Sequence, residues 1–380
     1  MSSSVSALFQ PLRVGTTDLQ HRVVMAPLTR FRANKYHVHG ELAKTYYAQR
    51  SSAPGTLIIS EATFIAPQAA GYANVPGIWN DAQISGWKKI TDAVHANGSY
   101  IFLQLWVLGR TADPAILRQE GGFDVVAPSP IPLGGDGPHS GEGGPVVPRA
   151  LTTAEIKEYA QLYSKAASNA IEAGFDGVEV HAANGYLLDQ FLQTVSNERT
   201  DEYGGSVDNR VRFPLEAINA VVEAIGAERT AVRISPWSKF QDMGMKDPLP
   251  TFTTFIERIR DAHPDFAYIH VVEPRVDGIV DGEVTDENRA QSNEALRKIW
   301  GDRPYIAAGG MDGAAAINTV EKYGGLVAFG RHFIANPDLP LRLKEGHSLT
   351  RYNRDTFYTT EAAAGYIDYP FSKNVVALQA

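Results

Sequence analysis

Three polar side chains that could act together on one small molecule follow one another closely in this 380-residue chain: His181, Asn184 and Tyr186. The segment from Gly177 to Ala183 alternates like a β-strand, and His181 lies near its end. An Asn-Gly pair then turns the chain sharply and places an amide and a phenol beside the imidazole. The arrangement predicts two hydrogen-bond donors for a carbonyl oxygen and a proton donor for a neighbouring carbon. The alternative for each residue taken alone is ordinary packing.

Eight short apolar runs, most of them separated by segments of helical period, predict the strands that position this site. Strands that alternate with helices indicate an α/β protein with a parallel sheet, and eight strands are enough to close a barrel. We therefore predict a (β/α)8 TIM barrel whose reacting groups lie at the carboxyl ends of the strands. The predicted strands are Arg22–Ala26, Thr56–Ser60, Tyr100–Leu103 running on into Trp106, Gly177–Ala183, Ala231–Ile234, Ala267–Val272, Pro304–Ala307 and Leu326–Phe329.

Two segments fall outside this alternation. A short N-terminal hairpin is expected at about 8–21, and a long, irregular excursion after strand 3 at about 107–150. Loops of this length inside a compact domain usually cover a functional site, so we interpret the excursion as lid-like. Helical signals resume at Thr152 and Glu155, which have capping-box spacing. The whole chain, 1–380, is expected to form a single barrel domain.

The composition argues against several classes of protein. With a net charge of -8 and a pI near 5.7, the chain is not expected to bind nucleic acid or anionic membrane surfaces. It has no cysteine, which rules out disulfides and thiolate nucleophiles, and its ten histidines lack the spacing of a metal site. Neither a signal peptide nor a membrane-spanning stretch is evident, so a cytoplasmic location is expected.

Glycines at the ends of the last two predicted strands indicate a phosphate site. Gly309 and Gly310 follow strand 7, and Gly330 with Arg331 follows strand 8. Bare backbone N–H groups and a guanidinium would meet where barrels often bind phosphate. Ordinary strand-to-helix turns are the alternative. No Gly-x-Gly-x-x-Gly follows a strand, so a mononucleotide is favoured over a dinucleotide in a Rossmann fold.

Other strand ends carry groups suited to a flat heteroaromatic ring. Gln104 and Trp106 lie two residues apart on strand 3 and therefore share a face. Arg233 faces inward by alternation with Ser235 and could meet an anionic ring edge, or else form a structural salt bridge inside the barrel. Thr29 adds a hydroxyl at the end of strand 1.

Several long motifs, taken in order, resemble those of the old yellow enzyme family of flavin-dependent ene-reductases. The resemblance extends from about Leu8 to Tyr369. The motifs are Met25-Ala26-Pro27-Leu28-Thr29-Arg30, Leu103-Gln104-Leu105-Trp106, Val180-His181-Ala182-Ala183-Asn184-Gly185-Tyr186-Leu187, Arg199-Thr200-Asp201-Glu202-Tyr203-Gly204-Gly205-Ser206 with Asn209-Arg210, Val272-Glu273-Pro274-Arg275, Phe329-Gly330-Arg331, and Gly365-Tyr366-Ile367-Asp368-Tyr369-Pro370.

The resemblance implies one FMN, bound without a covalent link in the mouth of the barrel, and NADPH or NADH as the co-substrate that reduces it. The isoalloxazine would be contacted by Pro27, Thr29, Ala62, Gln104 and Arg233, and the phosphate by Gly310, Gly330 and Arg331. The substrate would be bound by His181, Asn184, Trp106, Phe64, Tyr72, Phe240 and Tyr358, and the catalytic residues would be Tyr186, His181 and Asn184.

The resemblance also implies a reaction, the reduction of the C=C bond of α,β-unsaturated carbonyls and, as a second class, of nitroalkenes. A hydride would pass from N5 of the flavin to the β carbon while His181 and Asn184 stabilise charge on the oxygen. Tyr186 would protonate the α carbon. Because Thr29 stands where another branch of the family carries a cysteine, the chain resembles the threonine branch, which includes fungal members. The expected partner is a small activated alkene, and the chain would act as a monomer or homodimer.

The sequence alone leaves three alternative functions open. A flavin-binding redox protein without an ene-reductase role would need no proton donor. A flavin-assisted alkene isomerase is a second alternative, but fungal relatives of that kind carry phenylalanine where this chain has Tyr186. A third is a barrel hydrolase with paired carboxylates, drawn from Glu61, Glu273 and the inward-facing Glu179.

One segment departs from the family pattern. After strand 6, related enzymes often place an aromatic residue over the substrate, whereas this chain offers only the aliphatic Ile279 and Val280. The departure leaves the size of the acceptable substrate open.

Overall fold

Eight parallel strands close into a barrel in the computed structural model, which describes residues 6–134, 145–274, 276–277, 280–281 and 291–372. The barrel strands are β1 (Val23–Met25), β2 (Leu57–Ile59), β3 (Tyr100–Trp106), β4 (Gly177–Ala182), β5 (Thr230–Ile234), β6 (Tyr268–Val272), β7 (Tyr305–Ala308) and β8 (Leu326–Phe329). Each coincides with a predicted strand to within a few residues at either end.

The sheet closes because β2 pairs on both of its edges. Val24 of β1 lies opposite Leu57 of β2, and Ile58 of β2 lies opposite Ile101 of β3. On its other side β1 pairs with β8, so that every barrel strand has two neighbours. The predicted (β/α)8 TIM barrel is therefore confirmed.

Helices surround the barrel and supply the connections between its parallel strands. They are α1 (Glu41–Arg50), α2 (Asp81–Ala96), α3 (Pro114–Gln119), α4 (Thr153–Glu172), α5 (Leu187–Leu192), α6 (Val207–Ile225), α7 (Leu249–Ala262), α8 (Glu294–Trp300), α9 (Gly313–Tyr323), α10 (Arg331–Ala335) and α11 (Leu339–Glu345). Helix α4 begins with the predicted capping box, in which Thr152 and Glu155 satisfy each other's backbone N–H groups. Within the described ranges, no helix has both the length and the apolar composition that a membrane span requires.

Apolar side chains fill one end of the barrel interior. Side chains such as Leu57 and Phe102 fill the end of the barrel at which the strands begin. The N-terminal hairpin, which pairs Leu12–Val14 with Thr17–Leu19, packs Val14 against the same group. Because the hairpin closes this end, the opposite mouth is left for a site.

The excursion after β3 is more ordered than the irregular loop that the sequence predicted. It contains α3 and a parallel pair of short strands, Val126–Ala127 and Arg149–Ala150. Residues 135–144, which include most of its glycines, lie outside the described residues. The buried Leu117 packs in the same cluster as Trp106. The described part of the excursion therefore contacts the aromatic side chains at the mouth.

Two buried arginines directly after β1 hold the C-terminal segment against the barrel. Arg30 donates hydrogen bonds to the carbonyl oxygens of Phe357 (3.1 Å) and Gly365 (2.7 Å). Arg32 donates to the carbonyls of Phe357 (2.7 Å) and Thr356 (2.9 Å). Since both guanidinium groups are buried, these carbonyls replace the water that would otherwise solvate them.

His21 lies buried between the hairpin and β1 as a neutral imidazole. The Val23 N–H donates to its Nδ1 (3.2 Å), and its Nε2 lies 3.0 Å from Oγ1 of Thr56. That hydroxyl donates to the carbonyl of Ala53 (2.6 Å), so the Nε2–H tautomer satisfies every contact. A second proton on Nδ1 would face the Val23 N–H. Burial accordingly lowers the pKa of His21 to about 4.

We expect His21 to make the fold sensitive to acid. The unfolded chain takes up a proton near pH 6.5 and the folded protein only near 4, so the stabilising contribution is complete above 6.5 and is lost as the pH falls through about 4. The loss should reach about 3 kcal/mol in the free energy of unfolding. Urea unfolding at several pH values should therefore show a shallower acid dependence for His21→Asn, whose amide oxygen can still accept from Val23.

The matched control is His95→Asn. A hydrogen bond from His95 to the Asp176 carboxylate raises the pKa of His95, so its stabilising contribution is complete below pH 6.5 and is lost only as the pH rises above that value. His95→Asn should therefore leave the acid dependence between pH 4 and 6.5 unchanged. Identical pH slopes for the wild type and His21→Asn would contradict the assignment.

Candidate active site

The turn that follows β4 is fixed from two sides. Asn184 and Gly185 both have positive φ angles, 58° and 77°, which asparagine tolerates and glycine adopts freely. The Asn184 N–H donates to Oγ of Ser235 (2.7 Å), and the Gly185 N–H donates to Oδ2 of Asp189 (2.8 Å). A Cβ atom on Gly185 would lie 2.8 Å from Cβ of Gln241, so only glycine fits. The turn therefore holds the predicted amide and phenol in set positions.

His181 is a neutral hydrogen-bond donor. The Ala183 N–H donates to its Nδ1 (3.3 Å), which leaves the proton on Nε2. Burial, followed by the charge of Arg233 and the neighbouring His270, lowers the pKa of His181 well below 6.5. The imidazole thus offers an N–H without carrying a charge of its own.

Tyr186 stays protonated at the start of α5. Its ring lies edge-on to Trp106, with centroids 4.7 Å apart, and edge-on to His181 at 5.0 Å. Burial raises the pKa of Tyr186 well above 10, with a further increase from Tyr72. Gln241 acts in the opposite direction by a hydrogen bond to the phenol. The phenol therefore keeps its proton over the whole neutral pH range.

Aromatic side chains form the wall beside these groups. Phe64 stacks on Trp106 with centroids 5.1 Å apart, and Tyr72 meets Trp106 edge-on at 5.6 Å. Tyr358 is 48% exposed, and its ring meets that of Phe31 at 5.7 Å, which in turn lies 6.4 Å from Tyr72. Four of the predicted substrate contacts, His181 included, therefore form one continuous surface.

Two predicted substrate contacts lie at the edge of this surface. Tyr358 belongs to the C-terminal segment. The backbone of Phe240 lies beside the turn, with its carbonyl oxygen 3.1 Å from where a Cβ on Gly185 would stand. Ile279 lies outside the described residues, and the structure does not describe the side chain of Val280. How the aliphatic segment after β6 affects the size of the acceptable substrate therefore stays open.

Buried donors in the barrel fit a flavin ring. Nε of Arg233 and Nε1 of Trp106 are both buried and have no hydrogen-bond partner among the residues that the structure describes. A ring with polar edges would satisfy them, since unpaired buried donors are costly. Around them lie the strand-end residues assigned from the family, namely Pro27 and Thr29 after β1, Ala62 after β2 and Gln104 on β3.

The glycines assigned to a phosphate lie together on neighbouring strands. Ala308 at the end of β7 pairs with Ala328 of β8, so the residues that follow the two strands lie side by side. Gly310 is exposed and has a φ of 53°. Gly330 precedes α10, and the Arg331 guanidinium that opens this helix lies 5.7 Å from the ring of Tyr352. This placement would let backbone N–H groups and a cation meet one phosphate, and the assignment of these residues to a phosphate stays a prediction.

The carboxylates of the hydrolase alternative have other partners. Glu273 binds Arg297 (2.6 Å), and Glu61 accepts a hydrogen bond from the backbone N–H of Arg30 (3.3 Å). Glu179 binds Gln104 (2.7 Å). Because each of these carboxylates is already engaged by a neighbouring group, the paired-carboxylate hydrolase is disfavoured. Among the described residues, no group of three or more acidic or histidine side chains could hold a metal ion.

Sequence reasoning missed two residues that contact the site. Nε2 of Gln241 donates to the carbonyl of Asn184 (2.8 Å), but this residue lies in an irregular loop after β5 that gave no periodic signal. His270 lies inside the barrel on β6, and alternation along that strand could have found it.

A barrel that presents neutral donors and a cation at its mouth suits a flavin-dependent oxidoreductase, and the comparison with known families identifies that class. Residues 7–350 match the NADH:flavin oxidoreductase / NADH oxidase family, and the chain belongs to that family. FMN is the cofactor of the family, and a nicotinamide nucleotide is its co-substrate. The predictions of a flavin and of its reductant are confirmed at this level.

Individual relatives are similar over nearly the full chain. The chanoclavine-I aldehyde reductase of Penicillium roqueforti is 50% identical over 97% of this chain and 97% of its own. A probable inactive reductase of Epichloe festucae var. lolii is 46% identical over 98% of this chain and 97% of its own. The old yellow enzyme homologue of Zymomonas mobilis superposes with a TM-score of 0.88 at 40% identity, covering 96% of this chain and 99% of that structure. The predicted resemblance to old yellow enzyme is thus confirmed.

We expect Arg233 to be needed for flavin binding. In Arg233→Met the apolar stem remains but the buried cation is lost, and FMN should bind roughly tenfold or more weakly, because hydrogen bonds to charged groups contribute about 1.5–3 kcal/mol. Dilution of the holoenzyme, followed by the fluorescence of released FMN, measures the dissociation constant. Arg258→Met removes a cation from the exposed face of α7 and serves as the control. Equal FMN affinity in both variants would exclude the proposed role of Arg233.

Proposed function

We propose that this protein is an FMN-dependent ene-reductase that reduces the C=C bond of α,β-unsaturated carbonyl compounds, and of nitroalkenes as a second class, with NADPH or NADH as reductant. The observation that carries the proposal is the pairing of a neutral imidazole donor with a protonated phenol, whose rings lie 5.0 Å apart at the end of β4. The imidazole N–H can stabilise negative charge that develops on an oxygen, and the phenol can give its proton to a carbon.

The substrate oxygen is bound by His181 and Asn184. Nε2–H of the imidazole and the side-chain amide of Asn184 donate to the carbonyl oxygen. Before the substrate arrives, the Ala183 N–H orients the imidazole and Ser235 fixes the backbone of Asn184. Donors fixed in advance stabilise developing negative charge at no cost of reorganisation. When bound, the reduced flavin supplies the hydride that the β carbon receives.

Tyr186 completes the addition. Its Oη donates a proton to the α carbon, so that the double bond gains one hydride and one proton and becomes a saturated bond. Solvent then returns a proton to the phenolate. The stacked rings of Phe64 and Trp106 exclude water from the side of the pocket where this transfer takes place.

Conjugated aldehydes are the substrates that we favour. The relative from Penicillium roqueforti is named an aldehyde reductase, and an aldehyde presents one small oxygen to the two donors. A relative named as probably inactive represents the alternative, a flavin protein without this reaction. The presence of Tyr186 beside His181 and Asn184 supports catalysis, because flavin binding alone requires no acid. The same phenol favours net reduction over isomerisation.

Replacement of Tyr186 by phenylalanine should separate the two half-reactions. In anaerobic stopped-flow experiments, NADPH should reduce the flavin of Tyr186→Phe about as fast as in the wild type. Reoxidation by 2-cyclohexenone or a conjugated aldehyde should slow by roughly 10² to 10⁴, the usual contribution of a general acid.

Tyr163→Phe is the control, since it removes a buried phenol from α4, outside the proposed site, and leaves the proposed acid in place. Its reoxidation rate should stay close to that of the wild type. An alkene response that is equally fast in Tyr186→Phe would disprove the role of the phenol. A wild-type flavin that is reduced by NADPH but never reoxidised by an activated alkene would disprove the ene-reductase function.

A further inference from the structure

Four polar side chains lie inside the barrel beneath the mouth, and we refer to them as the central cluster: Gln104 on β3, Glu179 on β4, Arg233 on β5 and His270 on β6. The parallel register places Gln104 opposite Glu179 and Arg233 opposite His270. Gln104, Glu179 and His270 are at most 1% exposed. Polar groups buried this deeply need partners inside the protein.

The Glu179 carboxylate joins three strands. Its Oε1 accepts a hydrogen bond from Nε2 of Gln104 (2.7 Å), and its Oε2 lies 2.9 Å from Nδ1 of His270. A carboxylate can only accept, so both neighbours must donate to it. The Gln104 amide therefore turns its N–H toward Glu179 and has its carbonyl oxygen left to accept a hydrogen bond from another group.

The family cofactor offers a donor for that oxygen. The pyrimidine ring of oxidised flavin carries a single N–H, at N3, between two carbonyl oxygens. A glutamine that presented its own N–H groups to N3 would set donor against donor, whereas a glutamine that presents its oxygen matches it. The orientation of the Gln104 amide thus decides whether it can bind the ring.

We propose that Glu179 is a positioning residue for FMN, which fixes the amide of Gln104 with its oxygen available to the N3–H of the isoalloxazine. The inference rests on FMN binding and on the assignment of Gln104 to the ring. It does not depend on which alkene the enzyme reduces.

The same carboxylate supports the neighbouring cation. Burial lowers the pKa of Arg233, and the charge of Glu179 opposes that decrease. Burial also lowers the pKa of His270, so the imidazole is neutral and the carboxylate is the negative charge of the cluster. Removal of the Glu179 charge alone can therefore be tested apart from removal of its hydrogen bonds.

Two substitutions of Glu179 separate these effects. Glu179→Met keeps the unbranched shape but removes both acceptors. Glu179→Gln keeps one oxygen for Gln104 and can donate its new N–H to Nδ1 of His270, once the imidazole proton moves to Nε2. Each is combined with Gln104→Met, and the FMN dissociation constant is measured for all variants by dilution of the holoenzyme and the fluorescence of released FMN.

The expected result is a strongly non-additive cycle. Glu179→Met should weaken FMN binding about tenfold or more when Gln104 is present, because the amide is then free to turn its N–H toward N3. The loss should be much smaller beside Gln104→Met, where only the support of Arg233 is removed. Glu179→Gln should restore most of the affinity. A purely structural role would instead weaken binding equally in both backgrounds.

Either of two results would overturn the proposal: additive losses of affinity, or a wild-type FMN affinity in Glu179→Met. Circular dichroism and urea unfolding of each holoenzyme show whether the barrel is intact. If Glu179→Met does not fold, Glu179→Ala takes its place in the same cycle, since it also lacks an acceptor but leaves space instead of filling it.

Discussion

Closure of the sheet between β2 and β3 is the constraint on which the site depends. Once every strand has two neighbours, the carboxyl ends of all eight strands must meet around one mouth. Residues as distant in sequence as Thr29 and Arg331 then border the same space. The hairpin fills the opposite end, so small molecules have a single end of the barrel to enter. The closed barrel itself brings these strand-end residues together, and no loop movement is needed to do so.

Burial gives this mouth a uniform chemical character. The pKa of His181 is lowered and that of Tyr186 is raised, so both groups keep a donatable hydrogen without a charge. Arg233 adds a cation whose buried Nε–H has no partner in the described part of the chain. The ligands that suit such a surface are rich in acceptors, and a flavin and a conjugated carbonyl both meet that description. The hydrogen-bond donors at the mouth of the barrel can thus bind both the cofactor and the substrate.

The sequence predicted the parts of the fold that depend on local pattern. Strand positions followed from apolar periodicity, and the group formed by His181, Asn184 and Tyr186 was visible because its members are neighbours in the chain. The short strands and helix of the excursion were missed, since they are too short to show a period. The contact between Gln241 and Asn184 could not be predicted either, because it joins two irregular turns.

The clamp formed by Arg30 and Arg32 has a consequence for the order of folding. Both arginines lie near the start of the chain, yet the carbonyls that satisfy them belong to residues more than 320 positions later. During synthesis these two charges must stay hydrated until nearly the whole chain has left the ribosome, so early segments cannot bury the end of β1 on their own. Contacts this distant in sequence form slowly, because a long loop has to close first. The mouth of the barrel is therefore expected to be the last region to mature.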